Sequence, residues 1–300
     1  MKYKNSIILL IFVLSGFGWM ACDKIDKPLL VIDKQDIPVN LTDTVYFIDS
    51  VNVTEKQVLL EDFTGHLCVN CPEAAIMAHE FASTLDHKLI IYSVHAGYYA
   101  TPDPNPASLY TDDLTSVTGE ELYNAFQVFV NPNALINRVK FGGAVQLNPD
   151  NWQSAVNFEL AKPNVANLSL KNAFYPNLNT LRIQVKTEFT EQLSGVFKLC
   201  VYIAEDSIVS PQKNNNPDVG PSPDWEDYVH RNLLRGAVNT TFGENISASG
   251  TIEANKIYAK EYFYVIDPAW VTKHCNIIAF VYNEESKEIL QSAECGLKTE

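Results

Sequence analysis

The chain has 300 residues, 46% of them hydrophobic, and a formal net charge of -14. That length and apolar content suffice for two folded domains with real cores. The acidic balance argues against nucleic acid and anionic membrane surfaces as electrostatic partners and favours a solvated, self-repelling surface.

The chain begins MKYKNSIILLIFVLSGFGWMAC. Lys2 and Lys4 form a positive n-region, residues 7–13 are uninterruptedly apolar, and the apolar character runs on to Met20. This is the pattern of a secretory signal peptide over residues 1–21, too short for a membrane span. Ala21 before Cys22 is the arrangement of a bacterial lipobox, so Cys22 is expected as the acylated N-terminus of a mature protein anchored in the cell envelope. Trp19 departs from the leucine usual three residues before that cysteine. The alternative is an ordinary signal peptide cut near Ala21, leaving a free thiol at Cys22. No later stretch approaches about 20 apolar residues.

Residues 22–56 read as a polar tether with one short strand, TVYFID (44–49). QVLLEDFT (57–64) is a strand. In PEAAIMAHEFASTLDHK (72–88), Ala74, Met77, Ala78, Phe81 and Leu85 repeat at helical spacing as one apolar stripe. KLIIYSVHA is a strand of the doubly buried kind. A proline-rich insertion from Gly97 leads to a helix ending EELYNAFQV, then to the turn and strand VNPNALINR. NPDNWQSAVNFELAK is a last helix, with Asn148 as N-cap and Pro149 at the first helical position. The order strand–helix–strand–helix–strand–helix predicts an α/β unit with a mostly parallel sheet over residues 57–163. Beyond residue 163 the helical period disappears. NVANLSLKNAFY, TLRIQVKTEFT, GVFKLCVYIAED, KIYAKEYFYVI, NIIAFVYN and EILQSAE all have strand length and pattern. They predict an all-β, immunoglobulin-like sandwich over 164–300, carrying one long polar, proline-rich loop at 210–227.

The chemistry is concentrated in EDFTGHLCVNCPEAA (61–75). A Cys-x-x-Cys placed at a strand exit and a helix opening puts Cys68 where free N–H groups and the helix dipole favour a thiolate. Cys71 lies one turn inside. Cys68 is therefore expected to be partly exposed and nucleophilic, and Cys71 buried and resolving. Three readings of the pair stand together: a redox couple, a structural disulfide in a domain that only binds, and half of a zinc site completed by His66 or His95. Both histidines are expected to rim the site as polar residues. Among the remaining cysteines, Cys200 reads as a core residue. A hairpin turn centred on Glu285 would set Cys275 opposite Cys295, so a cross-strand disulfide is expected there, with two free thiols as the alternative. In YVHRNLLRGAV (228–238), His230, Arg231 and Arg235 are expected on a sandwich strand with a solvated basic face, or else as a binding loop or strut.

DFTGHLCVNC resembles the thioredoxin active-site segment, in which an acid lies six positions before the first cysteine, the place of Asp62. VNPNALINR is similar to the cis-proline loop of that family, with Pro132 at the proline. The resemblance implies a thioredoxin-like fold and a cis bond before Pro132. It also implies Asn131 as a contact for substrate backbone and Asp62 as acceptor of the resolving cysteine's proton. Leu67 stands where thioredoxin has tryptophan, and Val69-Asn70 where it has Gly-Pro. Over its whole length, through EDFTGHLCVNCP, SVHAGYY, PNALINR, YVHRNLLRGAV and FVYNEESKEILQSAE, the chain resembles the Omp-twenty-eight-related outer-membrane lipoproteins. These join a thioredoxin-like to an immunoglobulin-like domain. Two functions follow as expectations: thiol–disulfide exchange on envelope proteins through Cys68, Cys71, Asp62, Pro132 and Asn131, or non-catalytic partner binding, as by an adhesin. No cofactor, metal or nucleic acid is implied.

Overall fold

A computed structural model describes residues 45–299. The signal peptide, Cys22 and the tether up to residue 44 lie outside the described residues. The principal strands are β1 (Phe47–Val53), β2 (Val58–Thr64), β3 (Leu89–His95), β4 (Asn133–Ile136), β5 (Gln146–Leu147), β6 (Ala166–Tyr175) and β7 (Thr180–Phe189). They continue with β8 (Phe197–Glu205), β9 (Leu233–Ala237), β10 (Ile257–Val265), β11 (Cys275–Asn283) and β12 (Ile289–Gly296). The α-helices among the described residues are α1 (Cys71–Ser83), α2 (Val117–Phe126) and α3 (Pro149–Leu160). None is long and apolar enough to cross a membrane.

The helices begin where local chemistry directs. Pro72 and Pro149 sit in first turns, where a missing N–H costs nothing. Ser116 caps α2, its hydroxyl accepting from the Gly119 amide at 3.0 Å. Asn148 is at the N-cap of α3 as expected, although its side chain makes no cap bond.

A four-stranded antiparallel sheet runs β1-β6-β7-β10. The larger sheet runs β12-β11-β8-β9-β3-β2-β4-β5, with Glu244–Asn245 added against β8. Within it, β3 is parallel to β2 and to β9, while β4 and β5 are antiparallel to their neighbours.

The expected fold class is therefore overturned. The chain is mostly β, and residues 57–163 do not close into a separate α/β thioredoxin fold with a mostly parallel sheet ahead of an independent sandwich. Chain order misleads because it records which elements succeed one another, whereas strand direction and partner are set by long-range hydrogen bonds. Here β9, from the C-terminal half, inserts beside β3 at Leu233 opposite Ser93 and welds the strands of both halves into one sheet.

Three cores follow from the side-chain alternation of the strands. Between the two sheets, Leu168, Leu170, Ile183 and Val185 meet Val201, Ile203, Ile277 and Ala279, as in a sandwich. On one face of the larger sheet, Leu59, Phe63 and Tyr92 join Leu122 of α2 with Tyr202, Phe280 and Tyr282. On its other face, Val58, Leu60, Ile91 and Ile136 pack under α1 and α3, whose Ala78, Trp152 and Val156 are buried. Met77, placed by its spacing on the buried stripe of α1, is instead 39% exposed.

The expected Cys275–Cys295 bridge is also absent: both are buried free thiols. The partner of Cys295 is Ile277, and β12 carries a bulge opposite the step from Val281 to Tyr282. That extra residue and the position of the turn move Cys275 two residues along the strand, opposite Leu297, whose amide donates to the Cys275 carbonyl at 3.0 Å. A diagonal pair two positions apart lies beyond the reach of a disulfide.

Candidate functional site

Residues 65–70 form the turn between β2 and α1, and Cys68 and Cys71 are joined in a disulfide with Cα atoms 5.4 Å apart. The turn is held by Cys68 N–H to Gly65 O (2.9 Å) and Leu67 N–H to Tyr99 O (2.9 Å). A Cβ on Gly65 would come within 2.4 Å of the Tyr99 carbonyl, so glycine is what allows this close backbone approach.

Cys71 is buried as expected, but so is Cys68, at 2% exposure. The partly exposed nucleophile inferred from helix position is thus corrected, because tertiary structure covers it. The polar loop at 210–227 folds across the turn. Lys213 N–H donates to His66 O (2.8 Å) and Asn215 N–H to Val69 O (3.0 Å). The Gln212 amide donates to Cys68 O (2.9 Å), and the Asn215 amide to Asn70 Oδ1 (2.7 Å).

Behind the disulfide is a cavity of about 10 Å³ lined by Asp62, Cys71, His95, Gln212, Tyr228 and His230. Asp62 is 2% exposed, and its Oδ1 has no hydrogen-bond partner. Burial alone raises its carboxyl to about 7. Burial also holds His95 well below the usual imidazole value, aided by His230 and His66 nearby, and brings His230 down to about 4. The rings of His95 and His230 are 5.0 Å apart. His66 is lowered too, by burial, while its Nε2 lies 3.3 Å from Thr101 O. These histidines are buried components of the site, not an exposed rim, and burial disfavours the charged form of each.

The bond between Asn131 and Pro132 is cis, as expected. Asn131 Nδ2 donates to Thr64 O at 3.0 Å, tying this loop to the end of β2. With both sulfurs engaged in a disulfide, the pair offers no thiolate to zinc. Among the described residues no group of three His, Cys, Asp or Glu is placed to hold a metal ion. Cys200 lies in the core at the end of a 3.7 Å contact to Thr241 O.

Of the three basic residues expected on a solvated face of 228–238, only Arg231 is exposed, 53% by its side chain, and it pairs with Asp206 at 3.3 Å. His230 is buried, Arg235 pairs with Glu205 at 2.7 Å, and β9 bridges β3 and β8, which is the strut alternative. Sequence reasoning placed neither Gln212 nor Asn215 at the site. The run of amides in PQKNNNP was the available signal, since a cluster of donors in a loop needs acceptors somewhere.

A family model described as "Outer membrane protein Omp28" matches residues 119–299, more than half of the chain. Among solved structures, HBP35 of Porphyromonas gingivalis is similar with a TM-score of 0.59 and 18% identity, covering 81% of this chain and 76% of that one. That likeness concerns the fold alone. A domain of the outer membrane lipoprotein Omp28 from Porphyromonas gingivalis matches at 21% identity over 45% of this chain and 84% of that one, with a TM-score of 0.27, too low to support an argument. No curated protein matches the chain.

Proposed function

The chain belongs to the Omp28 family of outer membrane proteins, and from that premise we propose that it is a non-catalytic binding protein of the outer-membrane envelope, anchored by lipid at Cys22, with Cys68–Cys71 as a structural disulfide. The burial of both sulfurs beneath the 210–227 loop carries this reading. A disulfide exchanges by in-line attack of a thiolate on an accessible sulfur, and both cysteines are almost wholly buried, at 2% and 3% exposure. The bond then clamps the turn that ends β2 and starts α1.

The experiment is a turnover assay with dithiothreitol as reductant and insulin as test disulfide. The expected result is no acceleration over the uncatalysed reaction, with Cys68–Cys71 itself reduced slowly. Acceleration would overturn the reading. For the anchor, Cys22→Ala is expected to yield unprocessed or soluble protein. Partition of that variant into detergent at the mature mass would refute lipidation.

One observation favours a second reading, thiol–disulfide exchange. Asp62, with its carboxyl raised to about 7, lines the same cavity as Cys71 and is suited to accept that thiol's proton. Reduced Cys68 would attack a substrate disulfide, with one substrate sulfur leaving as a thiol. Cys71 would then displace the other, re-forming the Cys68–Cys71 bond, while Asn131 and Pro132 hold the substrate chain. In that case Cys71→Ser traps a mixed disulfide with envelope proteins, which a structural bond does not.

A further inference from the structure

Residues 212–213 of the loop at 210–227 form a short strand paired antiparallel with 224–225, and the free edge of that strand lies along the disulfide turn. Lys213 and Asn215, two residues apart, both donate their amides to the turn, at His66 O and Val69 O, as alternate residues along one edge of an extended strand do. Side-chain amides extend the match. Gln212 reaches Cys68 O, and Asn215 reaches Asn70 Oδ1, an oxygen at the N-cap of α1 that makes no cap bond of its own.

The cover is fastened by polar groups. Its buried side chains include Ser210, Gln212 and Asn214. Asn214 is spent inside the loop, donating to the carbonyls of Asn216, Gly220 and Pro221 at 2.8–3.1 Å. Val209, just ahead of the loop, is 63% exposed. A segment that buries little apolar surface opens at a fraction of the free energy of global unfolding.

We propose that the turn at 65–70 is a binding edge for an extended polypeptide, and that residues 212–215 are its ligand in cis, to be displaced by a segment of a partner protein. This rests on the reading of the chain as a binding protein and names the class of its partner. The edge presents acceptors: the carbonyls of His66, Val69 and Cys68, and the Asn70 side-chain oxygen. A ligand must therefore donate from its backbone at alternate residues and from Asn or Gln side chains. A basic residue is favoured at the Lys213 position, where the ammonium lies 4.7 Å from the Tyr110 ring centre and the ring stays behind when the loop leaves. Upstream, Asp112 accepts the Ser210 hydroxyl at 2.7 Å, adding a place for Ser or Thr. The partner segment is thus extended, rich in amides and hydroxyls, and basic at one position, which also suits a chain of net charge -14.

The test uses the full chain and the peptide IVSPQKNNNP, residues 208–217, labelled with a fluorophore. Lys213→Pro with Asn215→Pro removes both backbone donors and frees the edge. This variant is expected to bind the peptide at least about tenfold more tightly than the natural chain, whose edge is occupied most of the time. A scrambled peptide should bind neither. If a thermal melt shows the proline variant unfolded, Gln212→Ala with Asn215→Ala, which removes only side-chain bonds, takes its place with the same expectation. Equal binding by natural chain and variant, or no preference over the scrambled peptide, would overturn the proposal. Either result leaves the insulin assay unaffected, so a failed binding edge is distinguished from a failed structural disulfide.

Discussion

Asp62 shows how much of the site's chemistry comes from burial. It is on the face of β2 that looks toward α1, and burial raises its carboxyl to about 7. In the unfolded chain an aspartate titrates near 3.9. Between these values the folded protein holds the proton and the unfolded chain does not, so raising the pH lowers stability across that window. The loss is complete above about pH 7, at about 1.4 kcal/mol for each unit of displacement. Asp62→Asn removes the ionisation. The variant is expected to be more stable than the natural protein at pH 8, with little difference at pH 4. Urea unfolding at the two pH values measures this; a difference independent of pH would show that Asp62 is not a buried titrating acid.

At the scale of elements, the β11–β12 hairpin and the disulfide cover make the same point about register. Cys275 and Cys295 share the core between the sheets, but the bulge leaves them out of register. Burial pushes both thiols, and that of Cys200, up to about 12, where the thiolate needed for reaction is scarce. In the folded protein, iodoacetamide at pH 8 is therefore expected to modify none of the three, and in denaturant all three. A mass map of unreduced protein should show Cys68–Cys71 as the bridge among the described residues. Recovery of a Cys275–Cys295 peptide would contradict the register.

For the whole molecule, the decisive contact joins the two halves of the chain. Arg138, just after β4, pairs with Glu61 of β2 through Nε at 2.6 Å and Nη2 at 2.7 Å, and both side chains are buried. Tyr92 donates its hydroxyl to the same carboxylate. The guanidinium lies 5.1 Å from the Phe280 ring centre and 5.4 Å from that of Tyr282, both on β11. Removing one partner strands a buried charge, so Arg138→Met is expected to destabilise by about 3–5 kcal/mol. Arg138→Met combined with Glu61→Gln should recover a large part of that loss. Denaturant melts of the single and double variants test it, and additive losses would mean the two residues do not act as a pair. Because the Arg138 ring contacts with β11 and the shared sheet span both halves, each melt should show one cooperative transition.

The sequence by itself determined the placement of most of the strands and helices, because apolar period, proline at helix starts and turn residues act over a few positions. It also placed Cys68 and Cys71 together at a strand exit and helix opening, since spacing alone fixes that, while their disulfide and the burial of Asp62 came from the tertiary structure. Only tertiary structure decided how the strands pair. The insertion of β9 beside β3, the antiparallel β4 and the bulge in β12 all depend on hydrogen bonds between residues far apart in sequence. The same holds for the site's accessibility. Helix position favours an exposed, reactive Cys68, but exposure is a property of whatever packs above it. That is a polar loop some 145 residues downstream, whose amides found their acceptors on the turn.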